Sequence, residues 1–502
     1  MGDNTNNGKS NGQSDVQSNL PATPAADNGI PAGLAPLTAT LATKEASEQS
    51  GKETLSVAKT LRGRHILMTG VTGFLGKVAA SMLLHRHPDI GHLYLVVRPS
   101  RGQSAQERFQ HEVALSPVFK PLREVYTGGF DDFLKEKVTI LPGDVAKPGW
   151  GLPEETLAPL REKLDLVLNS AGLTSFSPAL EQSININTRG PLMALEFVRS
   201  CKKAAMAHIS TTYVTGTRAG TVSEDESPYG FYPRKDELRI TFDPEQELID
   251  CGDAMEALRK QADDQKRRAL LTRLTRDSLE NQNRNPNDPA AFEEQFKRER
   301  SKWIRDALRE EGKRRAEHWG WTNTYTYSKS LGEQLLTRAQ QKMRAEGKEP
   351  TALSIIRPSV IESSVSYPEP GWNQGANTSA PISYLISQGI RFVPASEQAK
   401  LDVVPVDMVC NGILLICAGL IARKNKPVYQ LGTSERNPVK VTRLIELCTL
   451  WTRRHYARKV SAPRWRKFLA NTLEAVPVSA DRYDKISAPA FRRGAVGVQR
   501  AI

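Results

Sequence analysis

The chain has 502 residues, 39% of them hydrophobic, with 69 Lys and Arg against 56 Asp and Glu, a formal net charge of +13. Residues 421–502 hold 18 basic and 5 acidic residues, leaving 51 of each before them; a nucleic-acid binder keeps its cations on the folded body, so no nucleic-acid partner is expected. Five scattered cysteines without a C-x-x-C pair exclude a disulfide framework and a zinc site, and no run approaches the ~18 apolar residues of a membrane span. The start Met1-Gly2-Asp3-Asn4-Thr5-Asn6 fits neither a signal peptide nor a myristoylation site, so a cytoplasmic protein is expected.

Residues 1–57 are rich in Asn, Ser, Gly, Ala and Pro and contain no aromatic residue. Such a segment buries too little apolar surface to offset chain ordering, and a disordered tail is expected. Short apolar runs then follow at His65–Thr69, Leu93–Val97, Lys137–Leu141, Leu164–Leu168 and Met206–Ser210, separated by helical patterns. This is the signature of a parallel sheet covered on both faces, an α/β Rossmann-type doubly wound fold. A charged stretch, about 244–320, breaks at Asn285-Pro286-Asn287-Asp288-Pro289 and reads as an insertion of two helices. Strand-like sequence returns at Ala352–Ile356 and Asp402–Val404. The main domain is set at 58–430 and a basic C-terminal segment at 431–502.

Thr69-Gly70-Val71-Thr72-Gly73-Phe74-Leu75-Gly76 lies between a strand and a helix, with G-x-x-G-x-x-G spacing. Gly70 permits the turn, Gly73 lets backbone approach a pyrophosphate, and Gly76 lets the helix pack on the sheet, while the free N–H groups of the helix start face the anion. Thr69, Gly70, Thr72, Gly73, Phe74, Leu75 and Gly76 are the cofactor-loop candidates. At the end of the second strand stand Arg98 and Arg101, cations suited to the 2'-phosphate of NADPH where an acid would select NAD. Asp144 and Val145, after the third strand, are placed at the adenine.

Tyr325 and Lys329 are at i and i+4 of a helix, hence on one face, while Tyr327 is not. A lysine ammonium near a phenol is expected to lower the phenol pKa and ready it to deliver a proton. The partner hydroxyl comes from a strand end, Ser210-Thr211-Thr212, with Thr211 preferred and Ser210 in reserve.

The glycine loop, Asn169-Ser170-Ala171-Gly172, Ile186-Asn187-Thr188, Ser210-Thr211-Thr212-Tyr213-Val214, Thr324-Tyr325-Thr326-Tyr327-Ser328-Lys329, Ile356-Arg357-Pro358-Ser359, Pro370-Gly371-Trp372 and Val404-Pro405-Val406-Asp407 occur in the order that resembles fatty acyl-CoA reductases. These are extended short-chain dehydrogenase/reductases, and the likeness runs from about residue 60 to 435. It implies that NADPH reduces a long-chain acyl-CoA through Thr211, Tyr325 and Lys329, with Ser170 and Ala171 beside the nicotinamide and Lys329 also on its ribose. The product implied is a fatty alcohol formed through a bound aldehyde; the alternatives are a released aldehyde, or another NADP-dependent member acting on a sugar nucleotide or a different thioester. A cofactor-binding scaffold without turnover is the reading from another class. The insertion is expected to cover the acyl site, and the basic C-terminal segment to make peripheral contact with membranes.

Overall fold

The inner strands of the central sheet alternate their side chains between two buried faces, which is why those runs read as almost continuously apolar. A computed structural model describes residues 54–375, 379–387, 390–396, 398–459, 461, 463, 464, 467, 468, 474–479 and 481–485. The strands β1 His65–Thr69, β2 His92–Val97, β3 Val138–Pro142, β4 Leu166–Asn169, β5 Ala205–Ile209, β6 Leu353–Pro358 and β7 Val428–Leu431 form one sheet. Their order is β3-β2-β1-β4-β5-β6-β7, and every neighbouring pair is parallel. The order reverses between β1 and β4, the topological switch point at which doubly wound sheets bind ligands.

Among the described helices are α1 Val57–Leu61, α2 Phe74–Arg86, α3 Gly190–Arg199, α4 Pro244–Ala262, α5 Gln265–Asn281, α6 Pro289–Trp319, α7 Thr324–Ala345, α8 Ala380–Ser387, α9 Val406–Ile421 and α10 Val441–Arg458. Ile66 and Met68 of β1 share one core with α2 and α9, and Leu67 points into the other, with α3. Because α2 is covered by the sheet on one side and α9 on the other, Gly76 through Leu84 are all buried. Each leucine so buried contributes about 1.5–3 kcal/mol.

Three expectations change. Residues 402–404 do not join the main sheet: Val403–Pro405 pairs with Val360–Glu362 in a separate ladder. The place next to β6 is taken by β7, a four-residue edge strand too short to stand out. The insertion folds as three helices, because Asp264 caps α5 by accepting from Arg267 N at 2.7 Å, a break before the one capped by Asp288. At the N-terminus, Ser56 caps α1 and Leu61 is fully buried, so the folded body has begun by residue 56. The rest of the expected tail, residues 1–53, lies outside the described residues.

Candidate active site

After Thr69 the chain turns through Gly70, whose φ of 80° suits glycine. A Cβ on Gly70 would lie 2.6 Å from Ala171 N, and one on Gly76 would lie 2.1 Å from Gly70 O. These two glycines therefore let the β1 loop nest against the β4 loop with α2 starting directly behind it. Gly73 caps α2 without a side-chain hydrogen bond, and no acid stands in the first turn, which leaves a helix start that attracts an anion. Thr72 is half-buried and Gly73 exposed at this cradle. Leu75 packs into the core behind it, and Phe74 stacks on Trp372 with centroids 5.5 Å apart. The cradle fits a dinucleotide pyrophosphate.

Thr69 departs from the expectation. It is fully buried; its hydroxyl donates to Asn169 Oδ1 at 2.8 Å and accepts from Ala171 N at 3.1 Å. Asn169 Nδ2 in turn meets His208 Nδ1 at 3.2 Å, so a polar chain ties the ends of β1, β4 and β5 together. Thr69 thus shapes the loop that holds Ser170 and Ala171, and its side chain presents no surface to a cofactor.

At the far end of the cradle, Arg98 is exposed and its guanidinium is 3.9 Å from the Asp144 carboxylate. An exposed pair of this kind contributes about 0–1 kcal/mol. Arg101 is exposed in the next turn. Asp144 also accepts from Ala146 N at 3.0 Å, so its carboxylate shapes the loop after β3. Val145 is half-buried, and its carbonyl would sit 3.1 Å from a Cβ on Gly190.

Asn323 caps α7 by accepting from Thr326 N at 2.9 Å, which fixes where Tyr325 and Lys329 point. Thr211 stands just past the end of β5, buried, with its hydroxyl oxygen accepting from Tyr213 N at 3.3 Å. Burial pushes the Tyr325 phenol up to about 12, while a hydrogen bond with Thr211 pulls the other way and the Glu333 charge adds to the rise. Ser210 Oγ is buried without a hydrogen-bond partner among the described residues. The threonine, not the serine, therefore meets the tyrosine.

Lys329 donates to Ile209 O at 2.9 Å. Burial lowers its pKa to about 8, with Glu333 opposing. A Cβ on Gly172 would lie 3.0 Å from Lys329 Nζ, so the ammonium sits directly under the β4 loop. The expected lowering of the Tyr325 pKa by Lys329 is not found: desolvation dominates both groups and keeps the phenol protonated, as a proton donor requires.

One residue at the site, Glu333, escaped the sequence reading, while Asn187 and Asp407 stood there only as members of longer motifs. Glu333, one turn past Lys329, is fully buried and forms a forked pair with Arg357 of β6, two contacts at 3.1 Å. Spacing i, i+4, i+8 from Tyr325 was the available signal. Asn187 lies in a π-helical turn, Ile184–Arg189, a distortion common at functional sites. It brackets Leu173 through N–H and carbonyl at 2.8 and 3.0 Å and donates to Ser328 Oγ at 3.1 Å, joining the β4 loop to α7. Asp407, at the start of α9, accepts from Val365 N, Ser366 N and Tyr367 N at 3.0, 2.8 and 3.1 Å. It fixes the turn that delivers Trp372 to Phe74.

The insertion meets the opposite face of α7. Tyr327 donates to Glu247 of α4, whose carboxylate also takes Arg315 of α6 at 2.9 Å, and Cys251, Met255, Leu308 and Ala316 surround Tyr327 and Leu331. It braces α7 from behind.

Residues 68–413 match the family model described as male sterility protein. The chain is 30% identical over 403 residues to fatty acyl-CoA reductase 2, chloroplastic, of Arabidopsis thaliana, covering 79% of this chain and 58% of that protein. It is also 30% identical over 398 residues to the alcohol-forming fatty acyl-CoA reductase of Simmondsia chinensis, covering 78% and 71%. The chain thus spans somewhat over half to about seven-tenths of these relatives.

Proposed function

Since the chain belongs to the male sterility protein family and is an oxidoreductase with a nicotinamide cofactor, we propose that it reduces a long-chain acyl-CoA with NADPH to the fatty alcohol, through an aldehyde that stays bound. The convergence of Thr211, Tyr325 and Lys329 beyond the end of β5, next to the glycine cradle, is the observation that carries this reading.

Thr72, Gly73 and the first turn of α2 would hold the pyrophosphate, Arg98 and Arg101 the 2'-phosphate, and Lys329 the nicotinamide ribose, since only one of its three donors is taken by Ile209 O among the described residues. When bound, the cofactor supplies hydride for the carbonyl carbon. The Tyr325 and Thr211 hydroxyls hold the substrate oxygen and strengthen their hydrogen bonds as it becomes an oxyanion. Collapse of the hemithioacetal re-forms the carbonyl, breaks the C–S bond and releases the CoA thiolate. In the second reduction Tyr325 gives its proton to the aldehyde oxygen, completing the alcohol. Phe176, 68% exposed with its ring 6.3 Å from that of Tyr325, offers the acyl chain an apolar surface at the reacting centre.

The stoichiometry tests the endpoint. NADPH oxidation and free-thiol release are followed together on a long-chain acyl-CoA; two NADPH per thiol supports the alcohol, and one per thiol supports released aldehyde. A cytoplasmic enzyme working at membrane surfaces suits this chemistry, because the alcohol partitions into bilayers. No described helix is long and apolar enough to cross one.

A further inference from the structure

Helix α10 is two-sided. Ile445, Thr449, Thr452 and Tyr456, spaced i, i+4, i+7 and i+11, are buried, and Ile445 joins Ile386 of α8 in a small core of its own. On the opposite stripe Leu447, Leu450 and Trp451 are 45%, 43% and 58% exposed. Arg443, Arg454 and Arg458 fall on that same stripe and are exposed too.

The fold uses only the inner stripe, so it does not account for three large apolar side chains within about one turn of the outer one. The arginines are not committed to the fold either. Arg443 pairs only along its own helix, with Glu446 at 2.9 Å, and Arg454 and Arg458 have no ion pair among the described residues. Trp451 lies flat along the helix, stacked on His455 with centroids 4.9 Å apart.

We propose that this face docks the protein on an anionic bilayer, with α10 in the headgroup plane, Leu447, Leu450 and Trp451 sunk toward the acyl chains, and the three arginines against lipid phosphates. The mixture of sunk apolar groups and flanking cations is what an anionic lipid surface complements. A second copy is a poor occupant, because a two-fold interface would set like arginines against each other. The inference goes beyond the reading of the active site and does not depend on it. It rests on α10 alone: of the later basic and aromatic run Arg464-Trp465-Arg466-Lys467-Phe468, Trp465 and Arg466 lie outside the described residues.

The test is flotation of the full chain with vesicles of phosphatidylcholine alone or mixed with phosphatidylserine, at low and high salt. Binding is expected on the anionic vesicles at low salt, falling as salt screens the arginines. Each cation lost should weaken binding about fivefold, so Arg454→Glu with Arg458→Glu should lower it by about twenty-five-fold or more. Trp451→Ala should weaken it as well, and circular dichroism checks that both variants fold. The wild-type protein gives an independent arm: bromine-labelled anionic lipid should quench its tryptophan fluorescence. Equal binding to neutral vesicles, wild-type flotation of the double variant, or absence of quenching would overturn the proposal. So would an oligomer in sedimentation that the same substitutions dissociate, which would assign the face to a second copy.

Discussion

The buried ammonium of Lys329 should set an alkaline limit on turnover. Burial lowers its pKa to about 8, against 10.5 for a free lysine. In the proposed mechanism the working form is the charged one, which would hold the ribose and support the Tyr325 proton. Activity is therefore present below the folded pKa and lost as pH rises through it. With a single titration the charged fraction falls from about nine-tenths at pH 7 to just under one-tenth at pH 9, so kcat/KM should fall about tenfold over that interval. Tyr325, pushed up to about 12, contributes nothing to this limb. Initial rates of NADPH oxidation from pH 6 to 10 measure it, and Lys329→Arg, whose guanidinium stays charged, should be slower at pH 7 but flat across the same range. A wild-type profile flat to pH 10, or a limb that persists unchanged in Lys329→Arg, would refute the assignment.

Tyr325→Phe should cost on the order of 10²- to 10⁴-fold in kcat with NADPH binding kept, measured by turnover and by cofactor fluorescence titration. Arg98→Ala should raise KM for NADPH and leave that for NADH nearly unchanged, because only the 2'-phosphate repays a charge-assisted bond; equal effects would make the residue structural. Gly76→Ala, whose Cβ would meet Gly70 O at 2.1 Å, should abolish cofactor binding or destabilise by at least about 1–3 kcal/mol, read by titration and thermal melting. Tyr327→Phe should lower thermal stability by about 1–3 kcal/mol, as it strips one partner from Glu247, while the preference among acyl chain lengths stays as in the wild type.

How legible all this was depended on how local the cause is. Six of the seven main strands read correctly: β1, β2, β4, β5 and β6 are largely buried, and the edge strand β3 still carries three apolar residues among its five; β7, the other edge strand, has four residues of which one is fully buried. Gly70 and Gly76 declared themselves because only glycine fits where backbone meets backbone. That Tyr325 and Lys329 share one helix was legible from their spacing, yet the direction of the Tyr325 shift was not. It depends on how deeply the phenol is buried, which no local pattern reports. Thr69 misled for the same reason: its hydroxyl is spent on Asn169 and Ala171, about a hundred residues away. The extra break in the insertion was written in Asp263-Asp264 but outweighed by the Asn and Pro cluster that follows. That the insertion lies behind α7 follows from Glu247 and Arg315 meeting Tyr327, pairings that only the fold creates.

The most direct measurement is isotopic. The enzyme is incubated with palmitoyl-CoA and NADPH deuterated at the transferable position, and the extracted products are separated by gas chromatography with mass detection. The account predicts hexadecanol carrying two deuterium atoms at C1, formed by the wild type and lost with Tyr325→Phe. Unlabelled alcohol, no reduced product at all, or labelled product in equal yield from Tyr325→Phe would contradict it.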